Sequence, residues 1–78
     1  MTEEAKINKK VGKNIRRYRL LYSANIRNMT QRELAEKIGV SVSLISGLES
    51  DNVRQGISIY NLYKVSKVLN VRVDKFFE

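Results

Sequence analysis

The most constraining feature of this sequence is a pair of helix signals separated by a very short turn. Thr30 can cap a helix with its hydroxyl, and Glu33, three residues later, can complete a capping box. Gly39 ends that helix because glycine adopts the left-handed backbone conformation without steric cost. Ser41 can then cap the next helix. The pattern predicts two helices joined by a tight turn over about residues 31–50.

Apolar spacing predicts a first helix before this pair. Apolar residues recur at helical spacing over about residues 7–23, which places one apolar stripe on the helix. The stripe consists of Ile7, Val11, Ile15, Tyr18 and Tyr22. Residues 23–28 carry no such periodicity and are expected to form a loop.

A fourth helix and a final apolar segment are predicted after the pair. Ser58 can cap the fourth helix, and Asn70 is a plausible left-handed stop. The inner face of this helix is expected to contain Leu62, Val65, Ser66 and Leu69. The last segment contains Val71, Val73, Phe76 and Phe77. We therefore expect residues 1–78 to form a single all-α domain of five helices.

Composition restricts the class of protein further. The net charge is +7, which makes polyanions the natural partners. The chain has no cysteine and no histidine, so thiolate metal sites and the commonest general base are absent, and neither an enzyme nor a cofactor is indicated. No apolar run is long enough to span a membrane, and the first ten residues are too polar for a signal peptide. A cytoplasmic protein without a membrane partner is expected.

The positive charge is concentrated near the start of the chain. Residues 6–19 contain no acidic residue, and their cations are Lys6, Lys9, Lys10, Lys13, Arg16, Arg17 and Arg19. Such a run is either a solvated helix face or a surface that binds phosphates. The sequence leaves both interpretations open.

Residues 30–41 and 44–49 resemble the Xre family, which comprises the Cro and lambda-repressor-like DNA-binding domains. The similarity continues through Gly12, Ile15, Arg16 and Arg19 before this region and through Leu62, Val65, Leu69, Val71, Phe76 and Phe77 after it. It implies a compact five-helix lambda-repressor-like domain that binds operator DNA, usually as a dimer, with the third helix in the major groove. Two loops depart from the family pattern. The loop before Thr30 is longer, and Gln55 and Gly56 replace the usual Asn-Pro pair.

The third helix is the expected reading element for DNA bases. A helical wheel places Ile45 and Leu48 on its inner side. The opposite side carries the predicted base-reading residues, Val42, Ser43, Ser46 and Gly47. Three of these, Val42, Ser43 and Gly47, also fall on the base-contacting positions of the family. All four side chains are short, so none can make a two-pronged contact with guanine or adenine, and an inert surface is the alternative interpretation.

Phosphate contacts are expected around the two ends of the helix pair. Gln31 lies in the first turn of its helix, where unpaired amides and the helix dipole favour an anion. The other predicted phosphate-binding residues are Arg32, Ser41, Asn52 and Arg54. By the family resemblance, Arg19 and Glu49 form a structural pair between the first and third helices.

The expected function is sequence-specific regulation of transcription, with repression favoured over activation. At least one of Phe76 and Phe77 is expected to join a homodimer contact, because both lie close to the end of a small domain. The chain ends just after the fifth helix, so we expect regulation by concentration, dimerisation or a partner protein. The alternative is a protein-interaction module, such as an antitoxin or an anti-repressor partner.

Overall fold

The computed structural model describes residues 2–50 and 55–78, and this part of the chain is all-helical. The elements are α1 (Glu3–Asn25), α2 (Gln31–Ile38), α3 (Val42–Glu49), α4 (Ile59–Leu69) and a 3-10 helix (Val73–Phe77). The predicted fold class is confirmed. The fifth helix of the expected count is the 3-10 helix rather than an α-helix.

Side-chain caps and left-handed stops define the ends of the helices. The hydroxyls of Thr30, Ser41 and Ser58 each accept a hydrogen bond from the backbone N–H three residues later, at 3.0–3.1 Å. Gly39 and Asn70 end α2 and α4 with φ angles of 76° and 57°. All five positions behave as the sequence predicts, because these signals act within a single turn.

Helix α1 is longer than the apolar stripe predicts. It begins after Thr2, whose hydroxyl accepts from the N–H of Ala5 at 3.1 Å. The predicted loop boundary at Ser23 is wrong, because Ser23 Oγ donates to the carbonyl of Arg19 at 3.0 Å and keeps to the preceding turn. Asn25 Nδ2 donates to the carbonyl one turn before it in the same way, at 2.8 Å. Although α1 has 23 residues, no helix within residues 2–50 and 55–78 is both long and apolar enough to cross a membrane.

One hydrophobic core holds the helices together. α1 packs on α3 and the 3-10 helix, and α2 packs on α3 and α4. The core residues are Val11, Ile15, Met29, Leu34, Ala35, Ile38, Ile45, Leu48, Leu62, Val65, Leu69 and Phe76. Their burial supplies the main force that positions α3, because apolar area removed from water is the dominant favourable contribution to folding.

The two terminal phenylalanines have different environments. Phe76 is fully buried, and its ring meets Tyr18 edge to face with 5.5 Å between the ring centroids. Of the two candidates for the predicted homodimer contact, Phe76 is excluded because its ring fills the core of its own subunit, and the contact stays a prediction for Phe77. Phe77 remains 43% exposed.

Asn14 fastens the end of the chain to α1. It is buried, and its Nδ2 donates to the backbone oxygens of Phe76 and Glu78 at 2.9 and 3.1 Å. A buried amide is stable only when it is hydrogen-bonded, and these two bonds meet that requirement. The 3-10 helix is thereby held against α1.

Candidate nucleic-acid interface

Helix α3 presents a polar outer face above a buried inner face. Ile45 is fully buried and Leu48 is 3% exposed, so the inner side matches the sequence prediction. Ser43 and Ser46 are exposed on the opposite side. Their hydroxyls are available to bond base edges or phosphates, since a serine hydroxyl can both donate and accept.

Val42 lies at the edge of this face rather than at its centre. Its side chain is half-buried and packs against the hydrophobic core. The prediction that Val42 lies on the open reading face therefore needs correction, because core packing takes up part of its apolar surface. Only the remainder is available to touch a thymine methyl group.

Gly47 is covered by another side chain. A Cβ atom built at Gly47 would overlap Oε1 of Gln55, so the Gln55 side chain lies directly over the glycine. The absence of a side chain at Gly47 makes room for Gln55. Gly47 stays a predicted base-reading residue, and DNA that reaches its backbone would have to displace the Gln55 side chain. Within the described residues, Oε1 of Gln55 is buried and accepts no hydrogen bond.

A buried ion pair joins α1 to α3. Nε and one terminal nitrogen of Arg19 donate to the two carboxylate oxygens of Glu49 at 2.7 and 2.8 Å. The side chains are 11% and 2% exposed. The other terminal nitrogen of Arg19 donates to the carbonyl of Met29 at 2.9 Å, so the same guanidinium holds the α1–α2 loop. Two-pronged geometry of this kind makes an arginine–carboxylate pair both strong and rigid.

Gln31 belongs to the same network. Its Nε2 donates to Oε1 of Glu49 at 3.0 Å, which links the first turn of α2 to the last turn of α3. One amide hydrogen of Gln31 therefore has a partner inside the protein. Its role as a phosphate clamp stays a prediction, to be served by the second amide hydrogen and by the backbone N–H groups at the start of α2.

The other predicted phosphate contacts differ in what the structure shows. Arg32 is exposed, and it makes no hydrogen bond or ion pair with any residue in the described part of the chain. Ser41 is exposed and uses its oxygen as an acceptor for Leu44 N–H, so its hydroxyl hydrogen can still be donated outward. Asn52 and Arg54 lie outside the described residues.

Gly12 allows α1 and α3 to come into backbone contact. A Cβ atom at this position would overlap the carbonyl oxygen of Leu48, and it would also lie 2.8 Å from the carbonyl carbon. No side chain fits there unless the helices separate. The depth at which α3 sits against α1 therefore depends on this one glycine.

Lys64 secures the turn between α2 and α3. Its ammonium donates to the carbonyl of Ile38 at 2.6 Å and lies over the ring of Tyr60, 4.5 Å from the centroid. The carbonyl belongs to the last turn of α2, where cations are favoured by the helix dipole. The sequence analysis missed this contact, because the two residues are 26 positions apart and no local pattern joins them.

The start of α2 carries an exposed ion pair in place of the predicted capping box. The Glu33 carboxylate accepts from Arg27 at 2.6 Å instead of bonding the backbone of Thr30. The hydrogen bond that Arg27 donates to Glu33, together with the negative charge of that carboxylate, raises the pKa of Arg27 above its ordinary value. The hydrogen bond from the backbone N–H of Glu33 to the Thr30 hydroxyl is thus present. The predicted reciprocal bond from the backbone of Thr30 to the Glu33 carboxylate is wrong, because Arg27 of the α1–α2 loop takes that carboxylate.

The sequence model of a family described as helix-turn-helix matches residues 24–76, which is about two thirds of the chain. The chain belongs to the helix-turn-helix family of Xre, Cro and lambda-repressor-like regulators. The matched segment contains α2, the tight turn, α3 and α4. No curated protein matches the chain. Family membership supports a DNA-binding helix-turn-helix regulator and makes the exposed face of α3 the first candidate for DNA contact.

Proposed function

We propose that this protein is a transcriptional repressor that binds operator DNA through α3 in the major groove. The observation that carries the proposal is the contrast on α3 itself. The helix is fixed from behind by Ile45, Leu48 and the Arg19–Glu49 pair, while Ser43 and Ser46 stay exposed. A rigid helix with an open polar face, in a chain of net charge +7, fits a DNA groove.

Exposure supports the proposed roles of Ser43, Ser46, Arg32 and Ser41. Asn52 and Arg54 lie outside the described residues and are proposed from the sequence. Ser43 and Ser46 read base edges, with further contacts at the half-buried Val42 and at Gly47, which lies under the Gln55 side chain. Phosphates are bound by Gln31, Arg32, Ser41, Asn52 and Arg54. Because short side chains carry limited direct readout, part of the sequence preference comes from the shape of the DNA. We propose that residues 1–78 act together as one DNA-binding domain.

We also propose that the repressor binds as a homodimer through Phe77. Its exposed ring borders a shallow cleft whose walls include Ile7 and Ile59, which are 44% and 75% exposed. A two-fold contact that buries these side chains would remove apolar surface from water. The operator is then a near-palindrome with half-sites about one helical turn, roughly 34 Å, apart or a multiple of that.

Two measurements test this function. Selection from a random duplex pool at low salt should recover a shared near-palindromic sequence, and recovery of unrelated sequences would contradict operator recognition. Sedimentation of Phe77→Asp should show a monomer where the wild type is a dimer. A wild-type monomer at tens of micromolar, or a variant that still dimerises, would contradict the proposed contact.

A second candidate function is a protein-interaction module. It is favoured by the exposed side of α4, where Tyr60 and Tyr63 are 68% and 50% exposed, next to the 75% exposed Ile59. Exposed aromatic groups of this kind are common at protein interfaces. A mobility-shift assay at low salt separates the two functions, since an interaction module without DNA contact would leave every duplex unshifted.

A further inference from the structure

Six cationic side chains share one face of α1. At roughly 100° per residue their positions fall within about 120° of one another, opposite the core residues Val11 and Ile15. We call this surface the α1 cation face, and it consists of Lys6, Lys9, Lys10, Lys13, Arg16 and Arg17. Five of the six are exposed, and Lys9 is half-buried.

The α1 cation face contains no acidic residue of its own, although Glu78 lines a shallow surface pocket with Lys6, Lys9, Lys10 and Lys13. The sequence contains no acidic residue between positions 5 and 32. Within residues 2–50 and 55–78, the ion pairs use Arg19, Arg27, Arg72 and Lys75, so none of the six cations takes part in one. Arg17 lies near the ring of Tyr18, 5.7 Å from its centroid, and keeps its charge.

This arrangement is unfavourable for an isolated helix. Like charges three and four residues apart on a helix repel each other. Solubility does not require such a strip, because a mixed surface with charges of both signs serves equally well. An anionic partner would remove the repulsion, and this points to binding.

The dimensions of the face fit a row of phosphates. The eleven steps from Lys6 to Arg17 span about 17 Å of helix at about 1.5 Å per residue. One strand of duplex DNA carries about five phosphates over that length. A membrane surface fits less well, because the apolar side of α1 is buried in the core and cannot enter a lipid interface.

The face lies beside α3 but away from its first turn. Lys13, Arg16 and Arg17 line a shallow groove together with Glu49 and Ser50, at the carboxyl end of α3. Ser43 lies in the first turn of the same helix. It is about 9 Å from Glu49 along the helix axis, at about 1.5 Å per residue. The cation face also precedes residues 24–76, the segment that matches the family.

We infer that the α1 cation face binds the phosphates of duplex DNA adjacent to the segment read by α3, without preference for base sequence. The inference rests on the proposed function and adds a second contact surface to it. The protein then covers more DNA than its reading helix does, and the additional affinity depends strongly on salt.

The test compares two variants of equal charge. Lys9→Gln/Lys13→Gln/Arg16→Gln removes three cations from the face, and Lys67→Gln/Arg72→Gln/Lys75→Gln removes three from α4 and the segment that follows it. Each lowers the net charge from +7 to +4. Binding is followed by fluorescence anisotropy over a salt series, with the shortest selected duplex and with the same duplex extended by about 10 base pairs, one helical turn, on each side.

The cation-face variant should bind the extended duplex at least about tenfold more weakly than the wild type. The slope of log K against log salt concentration should be shallower by about 2.7, because three phosphate contacts are lost. Its base preference and its affinity for the shortest duplex should change little. The control variant should stay within about threefold of the wild type on both duplexes, as expected for a change in net charge alone. The conservative Lys9→Arg/Lys13→Arg/Arg16→Lys should bind like the wild type, because the charge is retained.

Three results would overturn the inference. The cation-face variant could keep the wild-type slope on the extended duplex, or the control variant could lose as much affinity. In a parallel assay with anionic phospholipid vesicles, the cation-face variant could lose binding to the vesicles while it still binds the extended duplex like the wild type. That result would assign the face to lipid instead. Wild-type protein that binds no duplex would reject the proposed function as well, whereas specific binding with an unchanged slope rejects only this inference.

Discussion

The inner and outer faces of α3 differ in how completely their side chains are engaged. On the inner face, Ile45 and Leu48 are buried, and the Glu49 carboxylate accepts hydrogen bonds from Arg19 and Gln31. On the outer face, the side chains of Ser43 and Ser46 make no hydrogen bond with any described residue. The inner face therefore determines where the helix lies, and the outer face is left to determine what it binds.

The two roles meet at Val42 and Gly47. Val42 packs partly against the core, and Gly47 lies under the Gln55 side chain. A change at either position is expected to affect packing and recognition together. Changes well inside one face should alter either stability or recognition, but not both.

The largest expected effect comes from breaking the buried pair. Arg19→Ala leaves the Glu49 carboxylate buried without its cation, and removing one partner of such a pair costs about 3–5 kcal/mol. The free energy of unfolding, measured with urea, should fall by that amount. Replacing both residues by methionine should cost less, since no charge is then stranded. A single variant that unfolds at the wild-type urea concentration would contradict a structural role for the pair.

The next effect concerns the contact between α1 and α3. Gly12→Ala places a Cβ atom against the carbonyl of Leu48 and should cost about 3 kcal/mol, because backbone cannot move aside as a flexible side chain can. Gly56→Ala is the matched control. The atoms nearest to its Cβ would belong to the side-chain amide of Asn8, at 3.1 Å, and this amide can rotate away. Equal urea midpoints for the two variants would contradict the close approach at Gly12.

A much smaller effect is expected from the exposed ion pair on the outside of the helix pair. Arg27 and Glu33 have side chains that are 52% and 32% exposed, so solvent screens their attraction. Arg27→Ala should leave the thermal midpoint almost unchanged. A large fall would show that the α1–α2 loop depends on this pair rather than on the bonds of Ser23 and Arg19 to Met29.

The features predicted correctly from the sequence are mostly local. Thr30, Gly39, Ser41 and Asn70 act within one turn, so their residue type is enough to place the helix ends. The pairing of Arg19 with Glu49 spans 30 positions, and only the family resemblance indicated it.

The features that were missed depend on tertiary contacts. No periodic signal in the sequence indicates the close approach of Gly12 to Leu48 or the position of Gln55 over Gly47. The hydrogen bonds from Asn14 to the end of the chain leave no such signal either. Helix α1 was predicted too short because polar side chains hold its last turn, where an apolar stripe is absent. The sequence did not show which of the two terminal phenylalanines is buried, because only the turn of the 3-10 helix places the Phe76 ring in the core.

The central claim is that the outer face of α3 reads DNA bases, and Ser43→Arg tests it most directly. The variant should melt like the wild type, because the side chain lies outside the core. An arginine there can reach O6 and N7 of guanine, a contact worth about 1–3 kcal/mol of discrimination. Tyr63→Arg, on the exposed side of α4, adds the same charge, leaves the contact of Lys64 with the Tyr60 ring in place and serves as the control. Selection from a random duplex pool should give Ser43→Arg a new guanine at one position of each half-site, while the control recovers the wild-type sequence. Identical selected sequences for all three proteins would contradict base reading by α3.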